Sequence, residues 1–146
     1  MSILKKASVV LMALVMVCGS ASATGAGNKS KKTSGFNWNP VMDAIIQVES
    51  EGNPNAVSGN SVGVMQITPI LVKDCNEILK KQKSKKRYTM ADRYSVAKSK
   101  EMFLLIQKYY NPENNVEKAI RSWNGGVKYS IRATNRYYNK VLALLR

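Results

Sequence analysis

The chain has 146 residues, which is enough for one domain and too few for two domains of ordinary size. It contains 23 lysines and arginines, nine acids and no histidine, so its formal net charge is +14. The absence of histidine excludes Ser-His-Asp and Cys-His catalytic arrangements and most zinc sites, which leaves carboxylates, hydroxyls, amides, lysines and backbone groups for any chemistry.

The first 23 residues have the pattern of a secretory signal peptide. Lys5 and Lys6 precede the apolar run ASVVLMALVMV at residues 7–17, which is short for a bilayer span. The tripeptide ASA at residues 21–23 fits a signal-peptidase cleavage site. We therefore expect an exported protein, periplasmic or extracellular, cleaved after residue 23. Retention as a membrane anchor and lipidation at Cys18 are the alternatives.

Cleavage would leave a basic chain with one cysteine, Cys75. A lone cysteine forms no intramolecular disulfide, so we expect Cys75 to pack as a small buried apolar residue. Because the signal carries Lys5 and Lys6 but none of the acids, the mature net charge is +12. This charge favours an anionic partner, and export favours an acidic envelope polymer over nucleic acid.

Residues 24–35, TGAGNKSKKTSG, lack an apolar pattern and predict a flexible basic linker to a single domain at residues 36–146. Apolar residues then recur at helical spacing, which predicts an all-α fold. A first helix is expected to begin at Asn39-Pro40, and a second at Pro69. The basic run KKQKSKKR at residues 80–87 is interpreted as a solvated helix end or loop, or else as a contact for anions.

Three more helices are predicted towards the C-terminus. Asp92 is expected to cap a long helix that stops at Asn111, before a proline. The next apolar stripe starts at Val116 and ends at Asn124-Gly125-Gly126. The last helical stripe spans residues 138–145.

Glu49 is predicted to lie on the apolar face of the first helix. Ile45 and Ile46 precede it by four and three residues and therefore share its face, whereas Glu51 should be solvated. A carboxyl group among apolar side chains loses hydration, which raises its pKa, and an acid protonated near neutral pH can donate its proton to a leaving oxygen. The competing interpretation is an acid at a helix end that simply reaches water.

A turn-rich loop follows Glu49. The stretches GNPN at residues 52–55 and SGNS at 58–61 are typical of turns, and they leave room for a small β-hairpin in the all-α fold. Gly63 allows a close backbone approach. Gln66 lies in an otherwise apolar stretch, so its amide must either bond the interior or face a ligand.

Four segments, taken together, resemble the catalytic domain of the soluble lytic transglycosylases. They are Glu49-Ser50, GVMQITP at residues 63–69, SWNGG at 122–126, and Tyr137 with Val141 four residues later. The family usually has an E-S pair, a G-L-M-Q-I stretch near a proline, an A-Y-N-A-G stretch and a Tyr followed four residues later by Val. The resemblance spans about Pro40 to Leu142. Trp123 replaces the family's Tyr, which keeps a flat ring but removes a hydroxyl.

The resemblance implies an α-rich lysozyme-like fold and cleavage of the β-1,4 bond between N-acetylmuramic acid and N-acetylglucosamine in peptidoglycan, leaving a 1,6-anhydromuramoyl end. Glu49 would act first as acid and then as base. The substrate-binding residues would be Ser50, Met65, Gln66, Trp123, Asn124 and Tyr137. Peptidoglycan glycan strands are the implied partner. We expect no cofactor and no metal, and no stable membrane span once the signal is removed. Nucleic acid is not an expected partner, because the basic residues are scattered or in short runs and no readout motif occurs.

Several of these side chains have a purely structural alternative. Ser50 could bond backbone at a helix end, Met65 could pack in the core, and Asn124 could be a helix C-cap. Trp123 and Tyr137 could be core aromatics.

The sequence also leaves two other functions open. A hydrolytic muramidase of the goose-type lysozyme kind, on the same fold, would need a second acid to position water; candidates are Glu51, Asp74, Glu77 and Asp92. A non-catalytic cell-wall-binding module would be consistent with the basic charge.

Overall fold

The computed structural model describes residues 35–146. The predicted signal peptide, Cys18 and all but the last residue of the predicted linker lie outside the described residues. Within residues 35–146, no helix is long and apolar enough to cross a bilayer.

The described chain is built from helices, and the all-α prediction is confirmed. The five α-helices are α1 (Asn39–Ser50), α2 (Pro69–Lys81), α3 (Val96–Tyr110), α4 (Val116–Gly125) and α5 (Ile131–Ala143), with a 3₁₀ helix at Ala91–Tyr94. Two short strands, β1 (Val57–Ser58) and β2 (Ser61–Val62), form an antiparallel hairpin in the loop after α1, where the sequence left room for one.

The predicted cap of the long helix was wrong. Ser95 caps α3, because its hydroxyl accepts a hydrogen bond from the amide of Lys98 at 3.3 Å. Asp92 lies instead in the 3₁₀ helix, where its carboxylate accepts from the amide of Thr89 at 2.6 Å. The 3₁₀ helix takes up the residues that the pattern assigned to the first turn of α3.

The basic run at residues 80–87 covers the end of α2 and the loop behind it. Lys80 and Lys81 lie in the last turn of α2, where cations interact favourably with the helix dipole. Lys86 pairs with Glu101 of α3. Most of the run is exposed, as expected for a solvated helix end.

Phe103 of α3 lies at the centre of the core and is fully buried. Its ring packs between Trp38, before α1, and Trp123 of α4, with ring centroids 5.6 Å and 5.2 Å away. Cys75 is fully buried, and burial together with the nearby Asp74 charge raises the pKa of its thiol to about 12. The core therefore forms without covalent links among residues 35–146.

Arg121 is a buried charge that joins α4 to α5. Its Nε donates to Glu117 at 2.7 Å, and its Nη1 donates to the hydroxyl of Thr134 at 3.2 Å. Its guanidinium also lies 4.2 Å from the ring centre of Tyr138. These contacts fix α5, which carries Tyr137.

Gly125 allows α5 to approach α4 closely. A Cβ at this position would lie 2.7 Å from Cγ2 of Thr134 and 2.8 Å from Cβ of Tyr129. An alanine at this position would therefore require these side chains or α5 to shift.

Candidate active site

Glu49 lies in the last turn of α1 and is directly bonded to Tyr137. The Tyr137 hydroxyl donates to Oε1 of Glu49 at 2.7 Å, across 88 positions of sequence. Burial raises the pKa of Glu49, and the bond from Tyr137 offsets part of that rise because it stabilises the charged form. Burial and the neighbouring Glu49 together raise the pKa of Tyr137 well above its ordinary value, so its hydroxyl keeps its proton.

A cavity of about 230 Å³ opens in front of Glu49. Its lining includes Glu49 from α1, Ser58 and Ser61 from the hairpin, Gln66 from the following loop, and Trp123 and Asn124 from α4. Among the residues described, Glu49 is the one titratable group of this lining. A larger cavity of about 520 Å³ lies next to it, and Thr68, Leu71, Trp123 and Asn124 line both.

The loop at residues 63–67 is held in place by side chains from α1 and α4. The Ser50 hydroxyl donates to the carbonyl of Val64 at 2.8 Å and to that of Ile46 at 3.2 Å. The Trp123 indole donates from Nε1 to the carbonyl of Met65 at 3.2 Å. Trp123 thus supplies a donor even though it lacks the hydroxyl of the family's Tyr.

The side-chain amide of Gln66 bonds the protein through its nitrogen and also lines the cavity. Its Nε2 donates to the carbonyls of Ala56 at 3.2 Å and Gly63 at 3.0 Å, which ties the loop to the hairpin. Its backbone has a φ of 50°, a strained value for a residue other than glycine. Because the nitrogen is used internally and the side chain lines the cavity, the amide oxygen is the group available to a ligand.

Three of the six predicted substrate-binding residues do not line the cavity: Tyr137, which contacts Glu49 from behind it, and the two residues Met65 and Ser50. The Met65 side chain is fully buried in the core, because the loop folds back under the cleft. The Ser50 hydroxyl is bonded to backbone carbonyls and therefore holds the loop. The structural alternatives considered for these two residues describe their positions better than substrate contact does.

Trp123 and Asn124 line the cavity, and Tyr137 is bonded to Glu49 of the same cavity. Asn124 is exposed in the last turn of α4, and the C-cap of that helix is Gly126. Tyr137 reaches the cleft through Glu49. The structure thus brings together Glu49, Gln66, Trp123, Asn124 and Tyr137 from four separate segments of the chain.

Arg93 is a positioning residue that the sequence did not indicate. Its Nη1 donates to the carbonyls of Asn60 at 3.0 Å and Ile67 at 3.3 Å, so it holds both the hairpin turn and the end of the loop. Gly63 packs against the backbone carbonyl of Arg93. No local pattern identifies such a residue, because its partners lie about 30 positions away.

No group of three His, Cys, Asp or Glu side chains that could hold a metal ion occurs within residues 35–146. The groups that the described residues supply at the Glu49 cavity are one carboxyl, the Tyr137 hydroxyl bonded to it, and several amides and hydroxyls.

The family model described as Transglycosylase SLT domain matches residues 26–143. The chain belongs to this family. Comparison with curated proteins and with solved structures returned no match. Family membership indicates activity on peptidoglycan and the α-rich lysozyme-like fold. Peptidoglycan lies outside the cytoplasmic membrane, so an SLT domain that acts on it is exported.

Replacing Tyr137 with Phe should move the pH dependence of activity. The Tyr137 bond stabilises ionised Glu49, so its loss raises the pKa of Glu49 further. The alkaline limb of kcat/KM should therefore shift to higher pH, and kcat should fall about tenfold because the carboxyl loses its orienting partner. Tyr138→Phe is the matched control, because the Tyr138 ring lies over Arg121 and not at Glu49. An unshifted alkaline limb in Tyr137→Phe would contradict this coupling.

Proposed function

We propose that this protein is a peptidoglycan lytic transglycosylase in which Glu49 is the single catalytic carboxyl group. It cleaves the bond between N-acetylmuramic acid and N-acetylglucosamine without water. Protonated Glu49 donates its proton to the glycosidic oxygen as the bond from that oxygen to the muramic acid C1 breaks. The resulting carboxylate then takes the proton of the sugar's own 6-hydroxyl, whose oxygen bonds to C1 and closes the 1,6-anhydro ring.

The observation that carries this proposal is the solitary, half-buried Glu49 at the cavity. Its raised pKa favours the protonated form that the first step requires, and Tyr137 stabilises the carboxylate that the second step requires. An internal nucleophile needs no second acid, whereas an ordinary glycosidase uses a pair of carboxyl groups.

The acids that could have served a hydrolytic mechanism lie elsewhere. Glu51 is exposed, and Asp92 is bonded to Thr89. Asp74 and Glu77 line the larger neighbouring cavity, and neither lines the cavity at Glu49. This distribution favours the transglycosylase over the goose-type muramidase.

The remaining residues of the cleft have roles that follow from their groups. Gln66, through its amide oxygen, and Asn124, through its free amide, would bond the hydroxyl and N-acetyl groups of the sugars. Trp123 would offer part of its ring to a sugar face. Tyr137 would orient Glu49. Ser50, through its hydrogen bonds, and Met65, through its packing in the core, would hold the loop at residues 63–67 in place.

The products of digestion test the proposal. Purified sacculi treated with the protein should yield muropeptides that end in 1,6-anhydromuramic acid, which are 18 Da lighter than the hydrolytic products. Mass spectrometry of the digest, before and after borohydride reduction, distinguishes the two, since only reducing ends take up hydride. A digest that contained only reducing ends would replace the transglycosylase with a muramidase.

We also propose that residues 1–23 are a cleaved signal and residues 24–35 a linker, and that the mature protein works in the periplasm or outside the cell. The basic charge of the chain suits the carboxylates of peptidoglycan peptides and any attached anionic polymers. N-terminal sequencing of the exported protein should start at Thr24; a lipid-modified Cys18 at the N-terminus would require revision.

A further inference from the structure

Helix α5 carries a row of cations on its outer face. Arg132, Arg136 and Lys140 follow one another at intervals of four residues, so they lie on one side of the helix. All three are exposed, and the row extends along the helix axis for about 12 Å. Thr134 and Val141, on the opposite side of α5, are buried. The row therefore faces solvent, away from the core.

No acid of this part of the chain balances the row. Neither aspartate nor glutamate occurs after Glu117 in the sequence, whereas lysine and arginine recur up to residue 146. The ion pairs found within residues 35–146 involve none of the three cations. A row of exposed charges of one sign creates a positive potential, which attracts a surface of the opposite sign.

Exposed apolar side chains lie at both ends of the row. Ile131, which is 65% exposed, directly precedes Arg132. Leu144, which is 50% exposed, follows Lys140 by four residues and so continues the same spacing. A polyanion in solution offers such side chains no apolar phase, whereas a bilayer accepts them at the boundary between headgroups and acyl chains. The combination of cations and exposed apolar residues therefore favours a lipid surface over a polymer.

The row is separate from the catalytic cleft. None of its three cations lines the Glu49 cavity or the larger cavity beside it, and neither do Ile131 and Leu144. Tyr137, which bonds Glu49, points from an inward side of the same helix. A surface that contacts the row therefore does not need to cover either cavity.

We propose that the outer face of α5 is a docking surface for a bilayer of anionic phospholipids. The three cations contact the phosphates of the headgroups, and Ile131 and Leu144 enter the interface. The proposal goes beyond the proposed function, because binding to lipid requires no turnover. With α5 against the bilayer, Glu49 acts on the glycan that lies next to the membrane.

The first test measures binding to vesicles by cosedimentation. The purified mature protein should bind vesicles of equal parts phosphatidylglycerol and phosphatidylcholine, and should not bind phosphatidylcholine alone. The combined substitution Arg132→Gln, Arg136→Gln and Lys140→Gln should weaken binding to the anionic vesicles about 100-fold, because each cation near an anionic bilayer adds to the attraction. High salt should weaken binding of the parent protein, since it screens the same charges.

A second triple variant, Lys80→Gln with Lys85→Gln and Lys108→Gln, is the matched control. These lysines are also exposed and belong to none of the ion pairs within residues 35–146, so the net charge falls by the same amount. Binding of this variant should stay within about threefold of the parent, because charges distant from the docked face are screened. Thermal unfolding checks that both triple variants are folded. An equal loss of binding in the two variants would mean that net charge alone governs binding, and would overturn the proposal.

The second test distinguishes a bilayer from a polyanion. Ile131→Ser should weaken binding to the anionic vesicles about fivefold and leave binding to polyphosphate unchanged, because only the bilayer accepts the apolar side chain. Ile70→Ser is the control, since Ile70 is the same residue type and is 76% exposed on α2. If Ile131→Ser binds vesicles as the parent does, α5 binds polyanions in general and the assignment to lipid fails.

The outcomes separate this proposal from the catalytic one. If digestion of sacculi yields no anhydro ends but the α5 triple variant alone loses vesicle binding, the proposed function fails and the docking surface stands. If the parent protein does not bind anionic vesicles, the docking surface fails and the proposed function stands.

Discussion

Glu49→Gln is expected to reduce muropeptide release from purified sacculi by about 10³-fold, while binding to sacculi is retained. The amide keeps the shape of the side chain and can still accept the hydrogen bond from Tyr137, but it has no acidic proton to transfer to the glycosidic oxygen. Turnover is measured by the release of soluble muropeptides, and binding by cosedimentation with sacculi.

Glu51→Gln is the matched control for this prediction. Glu51 is exposed two residues further along the chain, so the same change of charge there should leave turnover near the parent rate. Thermal unfolding provides a second control. Because burial raises the pKa of Glu49, its ionisation opposes folding as pH rises through that pKa, and the neutral amide removes this effect. Glu49→Gln should thus unfold no lower than the parent at neutral pH. Muropeptide release at the parent rate would exclude Glu49 as the catalytic acid.

Gly63→Ala is expected to have the largest effect on stability. Gly63 has a φ of 79°, which is unfavourable for alanine, and an added Cβ would overlap the carbonyl oxygen of Arg93. The obstacle is backbone, so it cannot rotate away, and either the hairpin or the 3₁₀ helix must move. We expect a loss of about 3 kcal/mol in the free energy of unfolding and a Tm lowered by about 12 °C.

Gly52→Ala separates the two causes of this loss. Gly52 has a φ of 84°, but an added Cβ would have no heavy atom within 4 Å. It should therefore lose only about 1 kcal/mol, from backbone strain. Denaturant unfolding measures both variants. A loss for Gly63→Ala no larger than that for Gly52→Ala would contradict the close contact between the loop and Arg93. Activity should also fall in Gly63→Ala, because Gln66 moves with the loop.

The position of Glu49 could be predicted because a helix has a fixed period. Ile45 and Ile46 determine which face is buried, and a carboxyl on that face must lie in or against the interior. The helix starts at Pro69 and Val116 and the hairpin after α1 were likewise predictable, because proline, apolar spacing and turn residues act over a few neighbouring positions.

Residues whose partners are distant in sequence could not be placed in the same way. A serine cap and an aspartate cap have the same local chemistry, so the 3₁₀ helix before α3 was missed. Met65 and Gln66 are adjacent, yet one enters the core and the other lines the cleft. No local sequence pattern predicts the roles of Arg93 and Gln107. Arg93 bonds a hairpin that is far from it in sequence, and the side-chain nitrogen of Gln107 is buried without a hydrogen-bond acceptor among the described residues.

The sequence by itself determined the helical class, the burial of the Glu49 face, and the residue types available for chemistry. Those properties depend on side-chain periodicity and composition, and both can be read directly from the sequence. Only the tertiary structure decided that Tyr137 donates a hydrogen bond to Glu49 and that Ser50 bonds the backbone of the loop at residues 63–67. It also decided that, in the part of the chain described, no second carboxyl lines the Glu49 cavity. These facts depend on how α1, α4 and α5 pack, and packing is a sum of many weak contacts between segments that share no local pattern.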